Sequence, residues 1–286
     1  MNGTNIYCLN EYKKSPDCIK SPFRYAGGKF YAIKQIMPFI DCVPHDEYRE
    51  PFVGGGSVFF AKKRAKYDWI NDLEGDLIEV YNCLSDGTIV EQLIEKYNHE
   101  IATKQRHIEI KEWTPKTLFD RVYRIYYLNR TSYCGIINNP AWGYKEGKSS
   151  PPQNWGKFLL DASEKLKNVK ITSYDFSDVI TAKAKGNSVL MYLDPPYYKA
   201  DQKRAYTKSF TENDHIRLAK ILKETPYHFC LSYDDVDEVK ELYNWANIYK
   251  KSWLYNTANK RGENRDLGFE LIITNYKVKT LTLFDN

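Results

Sequence analysis

Apolar and polar positions in the first third of the chain predict strands that alternate with helices. The predicted elements are a strand at 48–53, a glycine turn at 54–56, a helix that begins at 57, a strand at 67–71 and a helix at 75–84. Gly87 suits the end of that last helix, because glycine tolerates the left-handed backbone that closes many helices. This alternation is typical of a parallel sheet.

The middle of the chain has a different pattern. From 88 to 168 the apolar residues recur with helical spacing, and there is almost no strand signal. The alternation then resumes, with strands predicted at 169–174, 188–193, 227–233, 248–254 and 269–276 and helices at 211–224 and 234–244. We therefore expect an α/β fold whose sheet is interrupted by a mainly helical insert.

Composition places the chain among folded proteins. Its 286 residues are enough for a full hydrophobic core, and 42% hydrophobic and 28% charged residues are ordinary globular values. No apolar run approaches the roughly 18 residues of a membrane-spanning helix, and the first residues do not resemble a signal peptide. We expect a soluble protein of the cytoplasm, with no membrane partner.

Charge and aromatic residues gather in the insert. Residues 99–150 contain nine Lys or Arg against five Asp or Glu, which is most of the net charge of +5. Residues 113–155 contain nine aromatic side chains. A basic, aromatic region suits a nucleic acid, because cations contact phosphates and rings stack on bases.

The cysteines and histidines predict no metal site. The six cysteines form no C-x-x-C pair, and none has a histidine at zinc-ligand spacing. Reduced thiols in a cytoplasmic protein explain them better.

The sequence Asp194-Pro195-Pro196-Tyr197 directly follows the apolar strand that ends at Leu193. Open α/β sheets bind ligands at the carboxyl ends of their strands. The two prolines have no N–H groups, so this turn offers a carboxylate and carbonyl oxygens that would accept hydrogen bonds from an amino group. Tyr197 could stack on a planar base.

The turn after the first strand has the features of a nucleotide-type site. In Glu50-Pro51-Phe52-Val53-Gly54-Gly55-Gly56-Ser57 the glycines allow close approach of a ligand to the backbone, and a helix begins directly after them. The spacing is not that of a dinucleotide fingerprint, and residues 26–30 do not form a P-loop. Phosphate-cleaving enzymes are therefore disfavoured. Asp72 ends the next strand, where an acidic residue binds ribose hydroxyls in such folds.

Four motifs, taken in order, resemble the Dam-like (D12) family of DNA adenine N6-methyltransferases. They are residues 23–29 (FRYAGGK), residues 50–57, Asn71-Asp72 with Asp76-Leu77, and residues 194–197. The similarity extends to Phe210-Thr211 and to residues 270–275. It implies a Rossmann-like class I S-adenosylmethionine-dependent methyltransferase sheet, formed by 1–87 and 165–286, with a helical target-recognition insert at 88–164.

The resemblance also implies residue roles in cofactor binding and in catalysis. S-adenosylmethionine would be bound by Tyr25, Lys29, Phe52, Gly54, Gly56, Asp72, Asp175 and Asp194. The catalytic residues would be Asp194, Pro195, Pro196 and Tyr197, and no covalent enzyme intermediate is needed. The Asp194 carboxylate and the Pro195 carbonyl would accept the two hydrogens of the adenine amino group and direct its lone pair at the methyl group.

Double-stranded DNA is the implied partner, and its target base must leave the duplex. The expected DNA contacts are Arg121, Arg124, Arg130, Tyr133, Asn138, Lys145, Lys203 and Arg204. Tyr133 is the candidate wedge, and the loop at 198–210 would close over the DNA. Members that recognise GATC typically have Arg near the position of Asn138, and Asn prefers adenine, so GATC specificity is not expected.

Other functions remain open at this stage. N4-cytosine methylation needs the same presentation of an amino group, although Asp rather than Ser at position 194 disfavours it. Methylation of RNA or of a protein amide would not need the basic insert, and a DNA-binding module without catalysis would not need residues 194–197. A companion restriction enzyme is a further possible partner.

Overall fold

The structure is a computed structural model that describes residues 6–9, 14, 17–25, 28–135, 139–199, 210–254 and 267–280. No helix in these ranges is long and apolar enough to cross a membrane.

A seven-stranded sheet forms the centre of the molecule. The described residues form nine strands, of which all but β1 and β9 belong to this sheet: β1 (Ile6–Leu9), β2 (Glu47–Glu50), β3 (Tyr67–Asn71), β4 (Lys170–Thr172), β5 (Val189–Leu193), β6 (His228–Asp234), β7 (Asn247–Leu254), β8 (Leu267–Thr274) and β9 (Lys277–Thr280). The main sheet has the order β4-β3-β2-β5-β6-β8-β7, in which β8 is antiparallel to both of its neighbours. The five neighbouring strands β4, β3, β2, β5 and β6 are parallel. The predicted α/β sheet is confirmed.

Ten α-helices accompany the sheet in the described ranges. They are α1 (Ile33–Asp41), α2 (Ser57–Ala61), α3 (Gly75–Asp86), α4 (Val90–Asn98), α5 (Lys104–Glu112), α6 (Leu118–Thr131), α7 (Trp155–Leu166), α8 (Phe176–Thr181), α9 (Glu212–Glu224) and α10 (Asp237–Leu242). The insert contains α4 to α7, as its periodicity predicts.

Both faces of the sheet are covered. Along β5, Leu190 and Tyr192 belong to one hydrophobic cluster, whereas Val189, Met191 and Leu193 belong to another. A strand buried on both faces has a continuous apolar sequence, which is why β5 was predicted from its residues alone. The first cluster continues into the insert helices through Tyr97, Tyr126 and Trp155. The insert therefore packs on one face of the sheet and shares its core.

Several predicted boundaries were wrong. β2 ends at Glu50 rather than at 53, because Pro51 has no N–H group for the ladder. β4 covers 170–172 instead of 169–174. The helix predicted at 234–244 covers only 237–242, since β6 extends to Asp234.

Four elements were missing from the sequence prediction. Helix α1 contains Pro38, which argues against a helix, but its face of Ile33, Ile36, Met37 and Ile40 is buried. Helix α8 is short. Strands β1 and β9 pair in parallel as a separate two-stranded sheet, and they come from opposite ends of the chain.

Candidate active site

Three chain segments meet at the carboxyl edge of the sheet. Strands β3, β2 and β5 are consecutive and parallel, so the residues that follow them lie at one edge. These are Asp72 after β3, the turn at 51–56 after β2, and Asp194 after β5. The motifs that are separated in sequence are thus brought together by the sheet order.

The glycine turn needs glycine for two physical reasons. Gly54 and Gly56 have φ of 46° and 68°, in the left-handed region that other residues rarely adopt. A Cβ on Gly55 would lie 2.6 Å from the Cβ of Tyr25, and one on Gly54 would lie 3.0 Å from the Tyr25 ring. Tyr25 therefore packs directly on the turn, which joins two of the predicted cofactor-binding segments.

Asp72 is fixed with its two oxygens facing different donors. Its Oδ2 accepts the N–H of Gly54 at 2.7 Å, and its Oδ1 accepts the N–H of Glu74 at 3.0 Å. Burial raises the pKa of Asp72 to about 6, although these two backbone hydrogen bonds oppose the shift. A carboxylate has about four acceptor positions, so these backbone bonds leave acceptor capacity for a hydroxyl of a ribose.

Lys29 and Asp194 form an ion pair in which Lys29 is buried and Asp194 is partly exposed. The Lys29 Nζ lies 2.8 Å from Asp194 Oδ1, and Lys29 is only 5% exposed. Burial raises the pKa of Asp194, whereas the ammonium of Lys29 opposes this rise. Lys29 pairs with Asp194, the predicted catalytic carboxylate, and its predicted contact with a cofactor stays a prediction.

A second carboxylate, Glu270 on β8, completes this cluster. The Tyr197 hydroxyl donates a hydrogen bond to Glu270, which is 1% exposed. The Lys29 Nζ lies 4.0 Å from Glu270 Oε2 and 4.8 Å from the centre of the Tyr197 ring. No role was assigned to Glu270 from sequence, although a single acid in an otherwise apolar strand was a usable signal.

Glu50 is a further buried acid beside the site. It ends β2 and accepts a hydrogen bond from the Tyr48 hydroxyl at 2.5 Å. Burial raises the pKa of Glu50 to about 8, and the nearby Asp194 carboxylate contributes to this rise. Glu50 is therefore mostly protonated at neutral pH, so it adds little negative charge beside Asp194.

Aromatic side chains line the part of the site between β2 and β4. The Phe52 ring lies 5.4 Å from the Phe176 ring and 5.7 Å from the Phe210 ring, measured between ring centres. Next to them, Asp175 caps α8 and forms two hydrogen bonds of 2.9 Å with Arg217. The carboxylate of Asp175 thus has a partner in the protein, and its contact with a cofactor stays a prediction.

The predicted cationic DNA contacts of helix α6 have protein partners. Arg121 forms hydrogen bonds of 2.9 and 2.8 Å with Glu79. Arg124 donates to the carbonyl oxygens of Ile110 and Lys111. Arg130 lies over the Phe158 ring at 4.9 Å. Phosphate contacts by these three residues stay a prediction.

Of the other predicted DNA-contact residues, the structure describes Tyr133 and Lys145. Tyr133, two residues after the end of α6, is 41% exposed, and the next residue, Cys134, has a positive φ of 53°. Lys145 is also exposed. Asn138, Lys203 and Arg204 lie outside the described residues.

No group of three or more His, Cys, Asp or Glu side chains suitable for a metal ion occurs in the described part of the chain.

Comparison with known proteins agrees with this geometry. A family model described as D12 class N6 adenine-specific DNA methyltransferase matches residues 25–257, which include the glycine turn, Asp72 and residues 194–197. The match thus covers most of the chain.

Curated relatives are similar over nearly their whole length. The type II methyltransferase M.MjaIII of Methanocaldococcus jannaschii is 31% identical, over 90% of this chain and 99% of the relative. The type II methyltransferase M1.LlaDCHI of Lactococcus lactis subsp. cremoris is 30% identical, over 94% and 99%. The DNA adenine methylase of Escherichia coli K12 is 29% identical, over 79% and 84%.

Proposed function

Because the chain belongs to the D12 class of N6 adenine-specific DNA methyltransferases, we propose that it acts on double-stranded DNA and turns the target adenine out of the duplex. The enzyme transfers the methyl group of S-adenosylmethionine to N6 of adenine in DNA. Its sheet is the Rossmann-like sheet of class I S-adenosylmethionine-dependent methyltransferases.

The ion pair between Lys29 and Asp194 is the observation that carries the proposed site. Adenine N6 is a weak nucleophile because its lone pair is delocalised into the ring. The Asp194 carboxylate and the Pro195 carbonyl accept its two hydrogens and favour the localised lone pair. Pro195 and Pro196 hold these acceptors in a rigid turn, and Lys29 stabilises the charge of the Asp194 carboxylate.

The residues around the glycine turn fit the methyl donor. Asp72 has acceptor positions for the ribose hydroxyls, and Tyr25, Gly54 and Gly56 form the wall below them. Phe52 provides an aromatic surface for the adenine ring of the cofactor. When bound there, S-adenosylmethionine supplies an electrophilic methyl group on a sulfonium.

A proton leaves N6 when the nitrogen–carbon bond forms and the sulfur–carbon bond breaks. Asp194 already accepts a hydrogen bond from that amino group, so its carboxylate is placed to receive the proton. Burial raises the pKa of Asp194, which makes it a better proton acceptor than an exposed carboxylate.

Tyr197 is placed to stack on the extruded adenine. The hydrogen bond from its hydroxyl to Glu270 fixes the ring, and the flanking Lys29 limits its movement. Glu270 thus acts through Tyr197 and is a positioning residue. A preset ring lowers the entropy cost of holding the base.

DNA recognition is assigned to the insert at 88–164, with 1–87 and 165–286 as the catalytic domain. Tyr133 enters the space left by the target base, while Asn138 contacts a base edge. Lys145 and the α6 arginines contact phosphates. Lys203 and Arg204, which lie outside the described residues, contact the DNA backbone.

The names of two relatives support a proposal about the cellular setting of the enzyme. Two of them are named type II methyltransferases, and we infer that a restriction enzyme for the same sequence accompanies this one. Both would act in the cytoplasm, where the DNA lies.

One assay with labelled S-adenosylmethionine tests the reaction and its substrate. The enzyme methylates unmethylated DNA, and digestion to nucleosides should place the label in N6-methyladenine. Label in 4-methylcytosine, or in no base, would contradict the assignment. With the target sequence mapped, a duplex with 2-aminopurine at the target position should gain fluorescence on binding, and an unchanged signal would exclude base extrusion.

A further inference from the structure

Asn129, near the end of α6, links two segments that are distant in sequence. Its Oδ1 accepts the N–H of Arg24 at 2.9 Å, and its Nδ2 donates to the carbonyl of Arg24 at 2.7 Å. The same Nδ2 donates to the carbonyl of Gly135 at 3.0 Å. Asn129 is 1% exposed, so these bonds are shielded from water.

A second set of contacts supports the same junction. The Arg24 Nη1 donates to the carbonyls of Arg130 and Ser132, each at 3.3 Å. A Cβ on Gly135 would lie 2.1 Å from the Arg24 carbonyl oxygen, so the two backbones touch. The loop at 132–135 is therefore held against Arg24 both through Asn129 and by direct contacts of Arg24.

One segment of this junction adjoins the proposed cofactor site, and the other adjoins the proposed DNA contact. Tyr25, the next residue after Arg24, packs on the glycine turn that is assigned to the methyl donor. Tyr133, on the loop, is the exposed wedge candidate. The carboxamide of Asn129 thus lies between the cofactor segment and the segment that enters the DNA.

We propose that Asn129 is a positioning residue that fixes the recognition loop relative to the methyl-transfer site and thereby sets the sequence selectivity of methylation. This inference rests on the proposed role of the loop in DNA recognition. A base is methylated only if its neighbours are read in the correct register, so a loop that shifts against the pocket accepts incorrect sites.

The required chemistry is specific to a carboxamide. Oδ1 must accept while Nδ2 donates to two carbonyls, and only Asn and Gln side chains combine these groups. Asn129→Asp has the same shape but loses both donated bonds and sets a carboxylate against two carbonyl oxygens. The substitution therefore releases the loop without creating a cavity.

Asn275 provides a matched control on the opposite edge of the sheet. Its Oδ1 accepts the N–H of Phe229 at 3.1 Å, and its Nδ2 donates to the carbonyl of Tyr227 at 2.8 Å. Asn275→Asp thus breaks the same kind of bonds far from the loop. Any general loss of stability should appear in both variants.

The experiment measures selectivity on genomic DNA that lacks the modification. Sequencing of N6-methyladenine gives the ratio of methylation rates at the target sequence and at sequences that differ by one base. Both products form in one reaction, so the ratio does not depend on how much enzyme is folded. We expect Asn129→Asp to lower the ratio at least tenfold and Asn275→Asp to change it less than twofold. A ratio within twofold of wild type in Asn129→Asp would overturn the proposal.

Two further variants separate this inference from its premise. Gly135→Ala pushes the loop away from Arg24 and should lower selectivity in the same way. If Asn129→Asp or Gly135→Ala has no turnover, fluorescence anisotropy gives the ratio of the affinities for the target duplex and for duplexes that differ by one base. Tyr133→Ala tests the loop itself. If Tyr133→Ala has no effect on DNA methylation, the proposed role of the loop fails. If it has an effect while Asn129→Asp and Gly135→Ala keep wild-type ratios, only the role of Asn129 fails.

Discussion

The edge of the sheet and the helical insert use charged residues in different ways. At the edge, Lys29 and Glu270 are buried beside the partly exposed Asp194, and Lys29 contacts Asp194 while Glu270 accepts a hydrogen bond from Tyr197. In the insert, Arg121 and Arg124 form bonds that hold the helices to each other and to the sheet domain. We propose that the charges at the edge support catalysis, whereas Arg121 and Arg124 in the insert stabilise the fold. Variants at each region test this difference.

Asp194→Asn should have the largest effect. The amide cannot receive a proton and presents a donor where an acceptor is needed, so kcat should fall about 10³-fold or more. Single-turnover methylation of the mapped duplex measures this, and circular dichroism checks the fold. Asp86→Asn, at the end of α3, should retain wild-type turnover. Activity of Asp194→Asn within tenfold of wild type would place the chemistry elsewhere.

Lys29→Met should have the next largest effect, with a signature in the pH profile. Lys29 lowers the pKa of Asp194, so its removal raises that pKa further. The ionised carboxylate then requires higher pH, and the acid limb of kcat/KM should move upward while the rate at neutral pH falls about 10²-fold. Lys34→Met, on the exposed face of α1, is the control. An acid limb at the wild-type pH would show that the ion pair does not tune Asp194.

The difference between the edge of the sheet and the insert also explains which site residues the sequence could predict. Asp72, the glycine turn and Asp194 each end a parallel strand, and parallel strands put such residues at one edge whatever the details of packing. Glu270 was not assigned because β8 runs antiparallel and reaches the site near its beginning. The partners of Arg121 and Asp175 depend on how distant helices pack, which no local pattern encodes.

The elements of the fold also divide into those that local sequence predicts and those that depend on distant contacts. Strands buried on both faces were predicted, since their apolar runs are continuous. Helix α1 was missed because burial of its apolar face outweighs the local cost of Pro38. The pairing of β1 with β9 depends on contact between the two ends of the chain.

Tyr197→Phe and Glu270→Gln should have smaller, coupled effects. Tyr197→Phe removes the hydrogen bond between Tyr197 and Glu270, and Glu270→Gln weakens it. A hydrogen bond to a charged group contributes about 1.5–3 kcal/mol. Turnover should fall roughly 10-fold in each variant, and the double variant should be little worse than either, because both act on the same ring. If the losses of turnover in the two single variants add in the double variant, Glu270 does not act through Tyr197.

The smallest expected effects belong to the insert. Lys145 is exposed, so Lys145→Ala should reduce the slope of log Kd against log salt by about 0.9, the value for one phosphate contact. Arg121 is held by Glu79, and an arginine that uses its guanidinium in that pair has less of it available for a phosphate. Arg121→Ala should therefore change the slope by less than half as much. Equal slope changes would show that Arg121 leaves Glu79 when DNA binds, and the contrast between the two regions would then hold only for the enzyme without DNA.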